Sequence, residues 1–248
     1  MLKPRIIPAL LLSNKGVYKT VNFESKKYIG DPLNIIKIFN DKFADEIMIF
    51  DIDSTKNKKI DFEYLKNIFH SCRMPVCYSG GVDSLKTAEK IFILGVEKIG
   101  LGNCLLTNKS VIRDIAKEFG SQSTVAIFNL VEKSKKIYIF DYLNNQIKED
   151  INVIEEIKKV QDLNIGEIVL HFVNNDGSMQ GYDYFIINEL LAYIKTPLTI
   201  LGGLQDLNEI IKIKKDYNYI GIAGSSFFIY KGKFKSVLIS YPSNFFKE

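Results

Sequence analysis

"PVCYSGGVDSLKTAEKIFILGVEKIGLGNCLL" (residues 75–106) lies without a gap on "PLTILGGLQDLNEIIKIKKDYNYIGIAGSSFF" (residues 197–228), and seven of the 32 positions are identical. The identities include Gly80/Gly202, Gly81/Gly203 and Gly102/Gly224. Chance readily supplies apolar matches, but not paired glycines at matched strand ends. Each copy reads as a short β-rich run, a glycine pair, a stretch of helical period and a second β-rich run closed by glycine. "DEIMIFDI" (45–52) echoes "GEIVLHFV" (166–173) in the same way. The pattern predicts a half-barrel duplicated and fused, with halves of about residues 1–120 and 121–248.

Outward from these copies, the alternation covers the whole chain. Strands are predicted at Arg5–Leu12, Glu46–Ile52, Pro75–Ser79, Lys98–Leu101, Thr124–Leu130, Ile168–Val173, Leu198–Leu201 and Ile220–Ala223. Helices are predicted at Pro32–Phe43, Phe62–Ser71, Ser84–Leu94, Asn108–Phe119, Ile151–Leu163, Tyr182–Ala192, Leu207–Tyr217 and near Lys233–Tyr241. Asp31, Asp61, Thr107 and Asp206 stand where N-caps belong. Eight β-then-α units in 248 residues predict an α/β fold, a (β/α)8 TIM barrel in one domain. A small hairpin is expected after strand five, from Lys136–Phe140 and Tyr142–Lys148 around Asn144-Asn145.

Composition narrows the function classes. Hydrophobic residues make up 46% and charged residues 25%, an ordinary balance for a globular core. The longest apolar runs, such as Ile6–Leu12, are far too short to span a membrane, and the N-terminal order is not that of a signal peptide. Cys72, Cys77 and Cys104 form no CxxC, which points to a reduced, cytoplasmic setting. The net charge of +4 is mild and the lysines are dispersed, so a nucleic-acid partner is not expected. No His/Cys/carboxylate spacing suggests zinc, and "NNDG" (174–177) lacks the further carboxylates of a calcium loop. Neither a metal nor a cofactor is expected.

The glycines admit two readings. They can make tight βα turns, or let backbone N–H groups approach an anion beside a helix start. Their recurrence favours two facing phosphate cradles at the barrel top. One comprises Gly80, Gly81, Gly102 and Asn103, the other Asp176, Gly177, Gly202, Gly203, Gly224 and Ser225. The ligand would then be a small molecule phosphorylated at both ends. Lys19 stands on a segment, Gly16 to Gly30, expected to be a mobile loop, where it can meet a ligand or simply be solvated.

"RIIPALLL", "VYKTVNF", "GDP", "ADEIMIFDID", "FGSQS", "GEIVLHFVNNDGSMQGYD" and "GIAGSSFF", in this order, resemble HisF, the cyclase subunit of imidazole glycerol phosphate synthase. The resemblance covers nearly the whole chain. It implies a bis-phosphorylated ribulosyl carboxamide substrate, converted with ammonia to imidazole glycerol phosphate and aminoimidazole carboxamide ribotide. It also implies a HisH-type glutaminase docked at the barrel bottom as a heterodimer, with ammonia passing through the barrel. In the family, aspartates at the ends of strands one and five are general acid and base. Here those positions are Leu11 and Asn129. Leucine transfers no proton, and asparagine does not titrate near neutrality. Ser79 replaces the first glycine of the strand-three run, Gly102–Asn103 the polar pair after strand four, and Leu201 a serine. Lys19, Asp51, Asp176, Gly177, Gly202, Gly203 and Ser225 are retained.

Period-two alternation makes Arg5, Glu46, Lys98 and Glu167 the first inward side chains of strands one, two, four and six. Periodicity leaves open a self-neutralised ring or four solvated charges. The resemblance implies the ring, since all four types coincide with the family's charged gate to the ammonia channel. Glu97 falls on a family acid that contacts the glutaminase. Above the gate the expected lining is Ile7, Ala9, Met48, Phe50, Gly100, Val125, Ile127, Val169 and Ile222, mostly apolar and suited to neutral NH3.

A kept entrance with a lost acid–base pair resembles a divergent HisF-like branch associated with surface-polysaccharide genes. In that branch the ammonia goes to a separate ATP-dependent amidotransferase acting on a sugar. "KYIGDP", "CRMPVCYSGG" and "LTILGG" fit it. Two alternatives stay open. One is a true cyclase with a substitute group, His171 being the candidate because an imidazole can carry a proton near neutral pH, with Asp53 assisting. The other is a non-catalytic scaffold that activates the glutaminase. A lone strand histidine is also commonly a satisfied core residue, and His70 is assigned no role.

Overall fold

Apolar runs too short for helices pair in chain order and close on themselves. In the computed structural model, which describes residues 4–217 and 220–242, eight strands run parallel. They are β1 Ile6–Ser13, β2 Ile47–Asp51, β3 Val76–Ser79, β4 Lys98–Leu101, β5 Thr124–Lys133, β6 Glu167–Phe172, β7 Leu198–Leu201 and β8 Gly221–Gly224. Each pairs with its successor, and Ile6 opposite Ile222 closes β1 on β8. Seven helices cover the barrel: α1 Pro32–Asp41, α2 Phe62–Ser71, α3 Leu85–Ile93, α4 Lys109–Phe119, α5 Val153–Gln161, α6 Tyr184–Leu191 and α7 Leu207–Asp216. The predicted TIM barrel is the observed fold.

The helix starts are fixed by side-chain oxygens that accept from otherwise unpaired N–H groups. Asp31, Asp61, Ser84, Asn152, Asp183 and Asp206 do this for six of the seven. Helix α4 is capped by Asn108, not by Thr107, whose hydroxyl instead donates to the Asn103 carbonyl at 3.1 Å.

Apolar residues form two clusters, because strand side chains alternate between the helix layer and the axis. The larger packs the strands' outer faces, Ile6, Leu10, Ile49, Phe128 and Leu170 among them, against the helices. The smaller fills the axis with Ile7, Ala9, Met48, Cys77, Val125, Ile127, Val169, Leu201 and Ala223, joined by Phe50. Strand eight departs from its predicted phase. Ile222 packs under the helices and Ala223 faces the axis. Gly221 sits inward as well, since a Cβ there would lie 2.1 Å from Thr199 Oγ1 and 3.4 Å from Arg5 Nη2.

The eighth helix predicted near Lys233–Tyr241 is absent. A four-residue helix, Ser226–Ile229, is followed by a two-stranded ribbon in which Tyr230–Lys231 pairs with Ser236–Val237. The run "KSVLIS" holds two β-branched residues, Val237 and Ile239, which suits extended chain better than helix. The returning strand donates Leu238 N–H to Ile229 O and Ser240 N–H to Phe228 O. It ends at Tyr241, buried against Phe39 and Phe228 at the barrel bottom. The Tyr241 hydroxyl donates to Ile6 O at 3.0 Å and accepts from Asp45 N–H at 3.1 Å.

Two further elements rise at the barrel top. Residues Gly16–Val21 pair with β1 and with Glu24–Gly30, so the expected loop is a hydrogen-bonded hairpin whose turn, Asn22-Phe23, has φ of 50° and 65°. After β5 the insertion is larger than predicted. The strand itself runs on to Lys133, turns at Ser134-Lys135 and pairs with Lys136–Asp141, which pairs with Gln146–Lys148.

Tyr241→Phe tests the C-terminal clasp. It removes both hydrogen bonds and leaves the Asp45 N–H and Ile6 C=O short of a partner. Urea unfolding is expected to show a loss of about 1–3 kcal/mol with an unchanged m-value.

Candidate functional site

The four predicted charges meet at the N-terminal end of the strands. Arg5 pairs with Glu46 through Nη1 and with Glu167 through Nη2 at 2.7 Å. Lys98 Nζ lies 2.9 Å from Glu46 Oε2 and 2.8 Å from Glu167 Oε2. Each anion therefore stands between two cations, and the ring closes. The carboxylates are deeply buried, while the Arg5 side chain is 31% exposed, so the cations form the outer side. Burial alone would raise the Glu167 carboxyl and lower the Lys98 ammonium. The opposite charges outweigh it, holding Glu167 below the usual carboxylate range and Lys98 above the usual amine range. Thr199 Oγ1 donates to Glu167 Oε1 at 2.5 Å, a partner that sequence reading missed. Its inward phase, two residues before Leu201, was the available signal. The exposed residue Glu97 accepts from Val76 N–H at 2.6 Å beside the ring, and so ties β3 to β4.

Above the ring the axis is a packed column of alkyl, thioether and thiol surfaces, as is usual for this fold. Cys77 and Leu201 belong to it although the sequence reading omitted them. Gly100 faces inward, where a Cβ would lie 2.5 Å from Ile127 Cδ1. Burial pushes the Cys77 thiol far up, so it is neutral.

The column opens into a cleft of about 360 Å³ at the C-terminal end. Leu11, Phe50, Ser79, Asn129 and His171 form its floor. Leu11 stands opposite Phe50, and Asn129 opposite His171, across strand pairs. Leu11 and Asn129, which the resemblance matched to the family's acid and base, both line the cleft and bring an alkyl and an amide group to it. Lys26, Lys56 and Lys58 reach the rim. Asp53, considered a possible assistant, is occupied structurally: it accepts from Ser13 Oγ at 2.9 Å and from Asn14 N–H at 2.6 Å. Asp51 caps the short helix Ile52–Asn57 and accepts from Tyr78 Oη at 3.2 Å.

Lys19 is neither solvated nor free on a loop. It is 2% exposed, and its Nζ lies 2.9 Å and 3.1 Å from the Asp176 carboxylate oxygens. Thr20 Oγ1 adds a bond to the same carboxylate at 3.3 Å, and Asn22 N–H donates to the Asp176 carbonyl at 2.9 Å. Burial raises the Asp176 carboxyl, but the Lys19 ammonium overrides this and holds it well below the usual range. His171 Nε2 is 3.6 Å from Asp176 Oδ1, buried and without a hydrogen-bond partner. The imidazole is flanked by the rings of Phe23 and Phe50 at 4.9 Å and 5.9 Å. Phe23 also meets Phe140 and Tyr142, so the Gly16–Gly30 hairpin roofs the cleft.

The glycine sets divide. Gly80, Gly81, Gly102 and Asn103 line the cleft with Asp176. Gly177, Gly202, Gly203, Gly224 and Ser225 are not among its lining residues. Gly203, at φ 111°, would bring a Cβ within 2.1 Å of Gly181 O, and Gly177, at φ 77°, within 2.2 Å of Thr20 O. These glycines are required by close backbone approach. Ser225 Oγ is buried with no partner. Among the described residues no group of three or more His, Cys, Asp or Glu side chains could hold a metal, and no helix is long and apolar enough to cross a membrane.

The family model for "Histidine biosynthesis protein" matches residues 5–235, and the chain belongs to that family. A Vibrio vulnificus protein provisionally named imidazole glycerol phosphate synthase subunit hisF3 is 41% identical over 98% of this chain and 94% of its own length. A Pseudomonas aeruginosa protein, provisionally named subunit hisF2 of the same enzyme, is 35% identical over 98% and 97%. The imidazole glycerol phosphate synthase subunit HisF of Buchnera aphidicola is 32% identical over 92% and 91%. The resemblance to HisF read from the motifs therefore holds along the chain.

Lys19→Met leaves Asp176 buried without its cation, and a loss of roughly 3 kcal/mol at pH 7 is expected in urea unfolding. The pH dependence follows from the depressed carboxyls. Glu167 and Asp176 contribute fully above their ordinary values of 4.5 and 3.8, and that stability is lost as pH falls through their lower folded values. Wild-type stability is expected to fall steeply below about pH 4.5, and the Lys19→Met curve to be shallower there.

Proposed function

We propose that this chain is a HisF-like synthase subunit that receives ammonia from a HisH-type glutaminase and conducts it along the barrel axis. The closed Arg5–Glu46–Lys98–Glu167 ring, beneath an apolar axis whose mouth carries Leu11 and Asn129, is the observation that supports this reading. The partner sits at the bottom, over the ring and Glu97. There Phe43, after α1, and Ile93, the last residue of α3, are also 71% and 75% exposed. Glutamine hydrolysis releases ammonia at that face. Inside, the methyl and thioether walls offer ammonium no counter-charge, so only neutral NH3 passes. Breaking one ion pair of the ring for passage leaves each charge another partner, which lowers the cost of opening.

At the mouth, positions 11 and 129 hold a leucine and an asparagine, neither of which can move protons for ring closure. The ammonia instead leaves for a separate ATP-dependent amidotransferase that acts on a surface-polysaccharide sugar. A phosphorylated small molecule suits Gly80, Gly81, Gly102 and Asn103 under the lysine rim. Ser225, whose buried Oγ has no partner, stands with Gly202, Gly203 and Gly224 for a second phosphate. A scaffold that merely activates the glutaminase would need no such ring.

One observation favours a second reading. His171, with Asp176 behind its Nε2 and Lys19 beyond, resembles a base held by a carboxylate, and could serve a true cyclase. Supplying the purified chain with the bis-phosphorylated ribulosyl carboxamide and ammonium salts separates the two. No imidazole glycerol phosphate is expected. Turnover at a rate typical of a histidine-pathway enzyme, abolished by His171→Ala, would establish the second reading instead.

A further inference from the structure

The ribbon that stands in place of an eighth helix has no part in the conduit. It leaves the short helix after β8, whose C-terminal end opens at the mouth. Its base touches the roof hairpin, with Lys27 Nζ 5.4 Å from the Tyr230 ring centroid. Its turn is Gly232-Lys233-Phe234-Lys235, closed by Lys235 N–H donating to Gly232 O at 3.1 Å. Phe234 is 90% exposed, and Val237 and Leu238 on the returning strand are 45% and 61% exposed. Residues 217–242 contain no acid. Lys231 is turned inward, its amine over the Phe227 ring and donating to Phe227 O. Among the described residues Lys27, Lys233 and Lys235 form no ion pair with an acid.

Phe234, Val237 and Leu238 place three exposed apolar side chains on one ribbon, beside two amines that meet no acid among the described residues, and apolar surface gathered in this way marks an interaction site. Its form is convex, so its complement is a pocket, and its charge calls for carboxylates around that pocket. Aromatic side chains seated in a pocket are the usual energetic centre of a protein interface, and flanking charges set orientation and encounter rate. We propose that this ribbon is a docking finger for the ammonia-accepting enzyme, an acidic protein with an apolar pocket for Phe234 and carboxylates for Lys27, Lys233 and Lys235. This rests on the conduit reading, because ammonia leaving the mouth must be caught by whatever covers it. A lipid surface on the same face would cover the mouth and leave the ammonia without an acceptor.

The experiment uses the chain in complex with its glutaminase, and a purified ATP-pyrophosphatase-type sugar amidotransferase of the source organism as probe. Sedimentation velocity and calorimetry compare wild type with Phe234→Ser, with Lys233→Glu/Lys235→Glu, and with the triple variant. The triple variant is expected to bind the amidotransferase at least about thirtyfold more weakly, with part of the loss in each parent variant. Its glutaminase pairing, its thermal midpoint and amidation driven by free ammonium should be unchanged. Equal affinity of wild type and triple variant, or no association of the wild type, overturns the finger. So does retention of wild type on vesicles of 70% phosphatidylcholine and 30% phosphatidylglycerol that the triple variant loses. Association that is weakened as expected, but without delivery of glutamine nitrogen in the wild type, sinks the conduit reading and leaves the finger standing.

Discussion

Two buried carboxylates at the bottom of the barrel, Glu46 and Glu167, set the terms for the rest of the molecule. Removing a charge from water without compensation is too costly, so carboxylates buried there need cations beside them. Each is matched by both Arg5 and Lys98, and the four residues stand at the starts of four strands, their pairs separated by 41 to 162 positions in the chain. The ring therefore fixes the relative register of β1, β2, β4 and β6. It also explains the small and polar residues around it. Gly221 leaves room for the guanidinium, and Thr199 satisfies the remaining demand of Glu167.

From that base the axis can only be apolar, since every polar group placed above the ring would need its own partner. The column of Ile7, Ala9, Met48, Cys77, Val125, Ile127, Val169, Leu201 and Ala223 meets the condition, and Leu11 and Phe50 continue it into the cleft. Polar chemistry reappears only at the mouth, where Lys19, Asp176 and His171 gather. The first two lock the roof hairpin to the loop after β6. A pair that holds the roof in place is poorly available for shuttling protons, and positions 11 and 129 carry a leucine and an asparagine, which shuttle none. The barrel thus joins a closed ionic ring at its base to an apolar axis and a mouth lined by Leu11, Phe50 and Asn129, the arrangement on which the proposed conduit rests.

Much of this was legible in the residues. Repeated glycines and alternating periods gave the barrel, and period two placed Arg5, Glu46, Lys98 and Glu167 inward, though their pairing into a ring needed the resemblance. What escaped was set by distant contacts. Lys19 reads as a loop lysine because Asp176 is 157 residues away. The phase of β8 slipped by one because a glycine at each end gives no side chain to read, and the Arg5 guanidinium decides which one faces inward. The false eighth helix came from expecting the fold's period to persist, although the run after Gly232 lacks acids and favours extended chain. The glycines of the second half were read as a cradle, while several are demanded by backbone contact at positive φ. Geometry shared by turns and phosphate sites cannot be separated by composition.

The account stands or falls on whether ammonia stays inside. The direct measurement supplies amide-15N glutamine to the complete assembly of this chain, its glutaminase and the amidotransferase, in a large excess of unlabelled ammonium. Mass spectrometry then reads the label in the amidated product. Passage along the axis predicts product that keeps most of the label whatever the external ammonium. Product whose label is diluted in proportion to the bulk pool would contradict it.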